Sequence, residues 1–260
     1  MHKMMLTTFL LTAALPAAAQ EAPAAAPANP AAPAAPAEST AQTPAAAPAA
    51  APAATLSQEQ IVAFNKAVTD FTAGQQAQQQ GDNMTAVAKY EAALPAIRDA
   101  VKTQPDKIEN VNFLANALYA TAAANAALQK LDAVAPLYEE SLPHWRKVVA
   151  ANPTDAQSRG VLTGILIQLG NFKLGKQDKA GADPFYAEAI PLARKAVAEQ
   201  SNPVNRNLLL AALIGASQTS EDAALKAEAA TLSKAMLADG SVDAANKPSA
   251  QVLAQMAKAG

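Results

Sequence analysis

The sequence predicts an all-α fold: antiparallel helical hairpins stacked as an α-solenoid, preceded by a disordered Ala/Pro-rich segment. Three observations predict it. A pattern recurs as YEAALPAIRDAV (90–101), YEESLPHWRKVV (138–149) and YAEAIPLARKAV (186–197), each copy 48 residues after the last. Within each copy the apolar residues fall at i, i+4, i+7 and i+11, as in Tyr90, Leu94, Ile97 and Val101, which is one stripe of a helix. No segment alternates with the period of a strand. A helix with one oily stripe cannot bury it alone, so a fixed repeat of such helices implies stacking.

The elements follow in order. Residues 1–19 read as a secretory leader, with Lys3, an apolar run from Met4 to Leu15, and Ala17–Ala19 before Gln20. That run is too short for a mature membrane anchor. Residues 20–55 are almost wholly Ala and Pro, and the prolines block a continuous helix. An extended polyproline-like spacer is expected there.

The repeat domain is expected over 56–240. Ser57-Gln58-Glu59-Gln60 fits a capping box and starts helix 1, which runs to about 80 with Ile61, Phe64, Val68 and Phe71 inside. Further helices are expected at about 84–103, 106–130, 133–151 and 155–177. A polar turn over 178–182 then leads to Asp183 as the cap of helix 6, with Pro184 at its first position. Helices at about 203–218 and 221–238 form a shortened fourth pair, as a terminal cap would. Residues 241–260 are a tail with a short helix near 249–258. Pro95, Pro143 and Pro191 interrupt the second helix of each pair at one phase, and either kink it or break it in two.

Chemistry is sparse. The chain has no cysteine, and His144 is the single histidine beyond the leader, so thiolate and clustered-histidine metal sites are excluded. No nucleophile elbow, P-loop or dinucleotide fingerprint occurs. No enzymatic activity, cofactor or metal is therefore expected. With Lys3 removed, 19 basic residues face 22 acidic ones, which gives no general attraction to nucleic acid. The mature chain is expected to lack an integral membrane span. Trp145 takes the place of Ile97 and Ala193 and is assigned to the core.

Two sets of residues are candidates for partner binding. Arg98, Arg146 and Arg194 form a row at the repeat period, suited either to an acidic partner or to ion pairs with the next helix. Asn112, Asn116, Arg159, Asn171, Arg206 and Asn207 come from the first helices, and asparagine can donate to and accept from an extended backbone.

Gly74, Gly81, Ala86, Tyr90, Ala93 and Leu94 are spaced like the small and aromatic signature of the tetratricopeptide repeat, which this region resembles. Tyr138, Ser141, Leu142 and Tyr186, Ala189, Ile190 continue the likeness. The period is 48 rather than that family's 34, and arginine stands where the family closes with proline. The resemblance implies a concave face, lined by the first helix of each pair, that binds a protein or peptide. With the leader, it points to a secreted, periplasmic or envelope-associated bacterial adaptor. The alternative is a structural component that associates with itself.

Overall fold

The computed structural model describes residues 55–256. The expected leader and nearly all of the Ala/Pro-rich stretch lie outside them. Among the described residues every regular element is helical: α1 (Gln58–Gln79), α2 (Asn83–Thr103), α3 (Ile108–Ala127), α4 (Leu131–Ala151), α5 (Ala156–Gly175), α6 (Lys179–Glu199), α7 (Pro203–Thr219), α8 (Ala223–Ala238) and α9 (Lys247–Met256). Each helix packs on the one before it and the one after it. The fourth pair is shorter, as expected.

The helices fall into two layers. Odd-numbered helices meet through Phe113 of α3, set edge-on between Phe64 and Phe71 of α1, and through contact of α5 with α7. Even-numbered helices are joined by ion pairs running α2 to α4, α4 to α6 and α6 to α8. Between the layers lies one apolar core that includes Leu94, Ile97, Leu118, Trp145, Leu166, Tyr186 and Leu213. Trp145 is 2% exposed, as its place in the repeat requires.

Tyrosine fixes the spacing within the pairs. Tyr90 and Tyr186 are fully buried. A Cβ on Gly74 would lie 2.6 Å from the Tyr90 ring, and one on Gly170 would lie 2.7 Å from that of Tyr186. Glycine at these two positions lets the partner helix press its backbone against the ring. Each hydroxyl then donates to an amide oxygen on the facing helix, Tyr90 to Gln78 at 2.8 Å and Tyr186 to Asn171 at 2.7 Å. The middle copy has Ala122 in place of glycine, and there Tyr138 stacks on Tyr119 with ring centroids 6.1 Å apart.

The turns also repeat. α1, α3 and α5 end in the same motif, with a left-handed residue at Gly81 (φ 81°), Gln129 (φ 59°) and Gln177 (φ 62°). The next N–H bonds back to Ala77, Asn125 and Lys173 respectively. This is the Schellman ending, for which glycine is the natural residue. Asp82 and Asp178 follow and cap α2 and α6 by accepting from Thr85 and Gly181, whereas Lys130 provides no side-chain cap to α4.

That motif corrects the expected start of helix 6. α6 begins at Lys179 under Asp178, so 179–182 is helix and Asp183 is not its cap. Pro184 lies inside the helix, at the register of Pro136 in α4. The helices carrying Pro95, Pro143 and Pro191 are likewise continuous, so the prolines do not break them in two. All these prolines are exposed, as are Glu91, Asp132, Glu139, Ala180 and Ala187, whose carbonyls lose their usual donor. A carbonyl at an exposed position is open to solvent, so losing the helical bond costs less there and a proline is tolerated. A second correction concerns α1. Ile61 and Val68, assigned to the interior, are 38% and 42% exposed.

Two outcomes follow for stability. Gln177→Gly relieves a left-handed glutamine and should raise unfolding free energy by about 1 kcal/mol in urea titration. Pro143→Ala restores an N–H in an exposed helix and should stabilise by roughly 1–3 kcal/mol. A loss of stability in Pro143→Ala would mean that the proline itself supports the stack.

Candidate functional site

The repeat period carries a register across the odd helices. Positions 64, 112, 160 and 208 are equivalent, and so are 68, 116, 164 and 212. These positions hold Phe64 and Val68 on α1, Asn112 and Asn116 on α3, Gly160 and Gly164 on α5, and Leu208 and Ala212 on α7. From α1 to α5 they stay exposed or partly exposed, while at α7 Ala212 is buried and the face closes. By register, this side of the odd helices passes from apolar residues on α1, through amides on α3, to partly exposed glycines on α5. None of these eight residues is charged.

The glycines are the informative part. A Cβ added to Gly160 or Gly164 meets nothing within 4 Å. Gly74 and Gly170 have an internal reason for lacking a side chain, and these two have none. Glycine in a helix interior is about 1 kcal/mol less favourable than alanine. What the pair provides is an uncovered stretch of α5 that another chain can approach closely. Beside it, Asn116 donates through its amide nitrogen to the Asn112 carbonyl and to the Asn112 side-chain oxygen, both at 2.9 Å. The bonded pair holds two amide planes on the surface of α3. The signal for Gly160 and Gly164 was present in the sequence, since no glycine occupies 112 or 116, but only the structure shows the space around them to be empty.

The remaining candidate residues are engaged within the chain. Arg98 reaches Glu140 through Nε at 2.6 Å and Nη2 at 2.8 Å. Arg146 holds Glu188 in the same two-point manner at 2.9 and 2.5 Å, and Arg194 holds Glu228. The carboxylate beside each guanidinium raises its pKa above the ordinary arginine value. Of the two uses open to this row, the structure places it in pairs between successive even helices. These side chains are a third to a half exposed, so each pair contributes about 1 kcal/mol or less. A second periodic tie runs beside it: Lys147 donates to the Pro105 carbonyl and Lys195 to that of Pro153.

Arg159 is 1% exposed and pairs with Glu199. Asn171 accepts from Tyr186. Arg206 pairs with Asp239 at 2.7 Å. Asn207 binds the segment before α9, donating to the Ser241 carbonyl at 2.7 Å and accepting from the Asp243 N–H at 2.9 Å. These last two residues clamp the C-terminal segment against α7. His144 is partly buried, and burial lowers its pKa.

Among the described residues, no group of three or more His, Cys, Asp or Glu could hold a metal ion, and no helix is long and apolar enough to cross a membrane. No protein family matches the chain, and no curated protein matches it.

The Arg206 clamp has a pH signature. Ser241 and the Arg206 guanidinium hold the Asp239 carboxyl down to about 2, against 3.8 for the free side chain. A lowered carboxylate pKa contributes stability that is complete above about pH 4 and is lost as pH falls towards 2. Asp239→Asn should flatten the stability profile between pH 4 and 2 and speed amide exchange in α9, with α2 to α4 unchanged.

Proposed function

We propose that this chain is an exported helical-repeat adaptor of the bacterial envelope, built on a divergent tetratricopeptide-type plan. It binds a protein or peptide segment on the odd-helix face and carries out no catalysis itself. The observation that supports the reading is the pair Gly160 and Gly164, helical glycines whose missing side chains leave open space rather than room for a neighbour in the same chain. Phe64 and Val68 at one end of the face accept apolar side chains, and the Asn112–Asn116 pair can bond an extended backbone. The leader-like residues 1–19 and the Ala/Pro stretch support export and a tether.

A photocrosslinker at Asn116, introduced in the native cell envelope, should trap a partner that one at Pro95 does not. Gly160→Leu with Gly164→Leu should leave the fold at least as stable and remove that adduct. Retention of the adduct in the folded double variant would overturn the reading.

A second reading, self-association, is favoured by one observation. Val62 is 61% exposed, yet its register equivalents Asn110 and Ser158 are buried. Among the described residues no helix precedes α1 to cover Val62. If copies join there, apparent mass in light scattering should rise with concentration and Val62→Asp should return it to that of one chain. A constant mass in the parent rejects this reading.

A further inference from the structure

Arg159 is the largest fully buried side chain in the described residues. Its register equivalents are Val111 and Asn207, so the repeat does not call for a cation there. A guanidinium has five N–H donors. Within the chain, Nη1 donates to the Pro153 carbonyl at 3.0 Å, Nη2 meets Glu199, and Nε has no partner. A buried cation that leaves donors unused needs a physical account, because desolvation without bonding is costly.

The surroundings supply one. Arg159 lines a cleft of about 260 Å³ together with Ala156, Ala196, Glu199, Gln200 and Asn205. The first turns of α5 and α7 and the end of α6 converge on it. The N-termini of α5 and α7, already capped by Asp155 and Asn202, favour negative charge, while the C-terminal end of α6 favours the Arg159 cation. Asp155 at the start of α5 lies within electrostatic reach of the guanidinium. The carboxylate bonded to the guanidinium is that of Glu199, the last residue of α6, whose side chain is 44% exposed. It can therefore swing out without unpacking the core. Its carboxylate shows what the guanidinium accepts.

We propose that this cleft is a carboxylate-binding site. Arg159 grips an incoming carboxylate with its planar fork, Gln200 adds an amide donor, and Glu199 is displaced toward Lys195, 4.0 Å away. The carboxylate is either a free small molecule or the end of a peptide chain. The site lies in the first turn of α5, next to Gly160, and its test reads carboxylate binding rather than the partner adduct, so the two readings can fail separately.

Calorimetric titration of the full chain with sodium acetate, at ionic strength held constant with chloride, reads the first source. Trialanine with a free C-terminus, compared with its amide, reads the second. Saturable binding of acetate or of the free-acid peptide, absent for the amide, is the expected result, and which of the two binds assigns the source. Arg159→Lys keeps the charge without the fork and should weaken binding at least about tenfold. Ala156→Leu fills the cleft from an exposed position and should do the same, so the test survives if the lysine variant fails to fold. If neither probe binds saturably, or if Ala156→Leu binds as the parent does, the cleft holds water only and the proposal is overturned.

Discussion

The structure depends on an aromatic ring held against bare backbone. Tyr90 and Tyr186 fill the space between the helices of a pair, and the facing helix can come close only because Gly74 and Gly170 lack a side chain there. The hydroxyl must then find an acceptor, since a buried phenol without one would be costly. Gln78 and Asn171 provide it. Burial alone pushes the Tyr90 hydroxyl up to about 12, so it stays protonated and donating across the physiological range. This contact sets the distance within the pair, and the core between the layers follows from it.

With that distance fixed, the two layers do different work. The even helices bear the solvent-facing prolines and the periodic Arg–Glu and Lys–carbonyl ties that join one pair to the next. Each tie is weak, yet each has the same geometry, so together they favour one stacking register over its neighbours. The odd helices carry the apolar joints of Phe64, Phe71 and Phe113, and on their outer side they carry little. The open face combines uncharged side chains with partly exposed backbone at Gly160 and Gly164. A surface of that kind suits close approach by another chain better than long-range attraction. Arg159 stands apart from this division, as a charge that one repeat alone has placed in its interior.

Much of the fold could be read from the residues. The 48-residue period, the pairs, the capping box at Ser57 and the core place of Trp145 all appear as spacing and type. Asp183-Pro184 is a strong local helix start, yet α6 begins earlier, at Lys179. The structure follows the repeat instead, with Asp178 at the register of Asp82. Ile61 and Val68 misled for a related reason. Apolar spacing marks a stripe, but it does not reveal which of its positions stay exposed on the first described helix.

The candidate site was less legible. Asn112 and Asn116 lie on the open face, while Arg98, Arg146, Arg194, Arg159, Asn171, Arg206 and Asn207 hold the chain to itself. Residue type alone cannot separate a free donor from one that meets a carboxylate 42 positions away. By itself the sequence determined the helices, their period and the stacking of pairs, because these rest on local propensity and on apolar spacing repeated along one chain. Tertiary structure alone decided which glycines face a ring and which face empty space. It also decided which arginines are already paired, since distance between helices is not written in the order of residues.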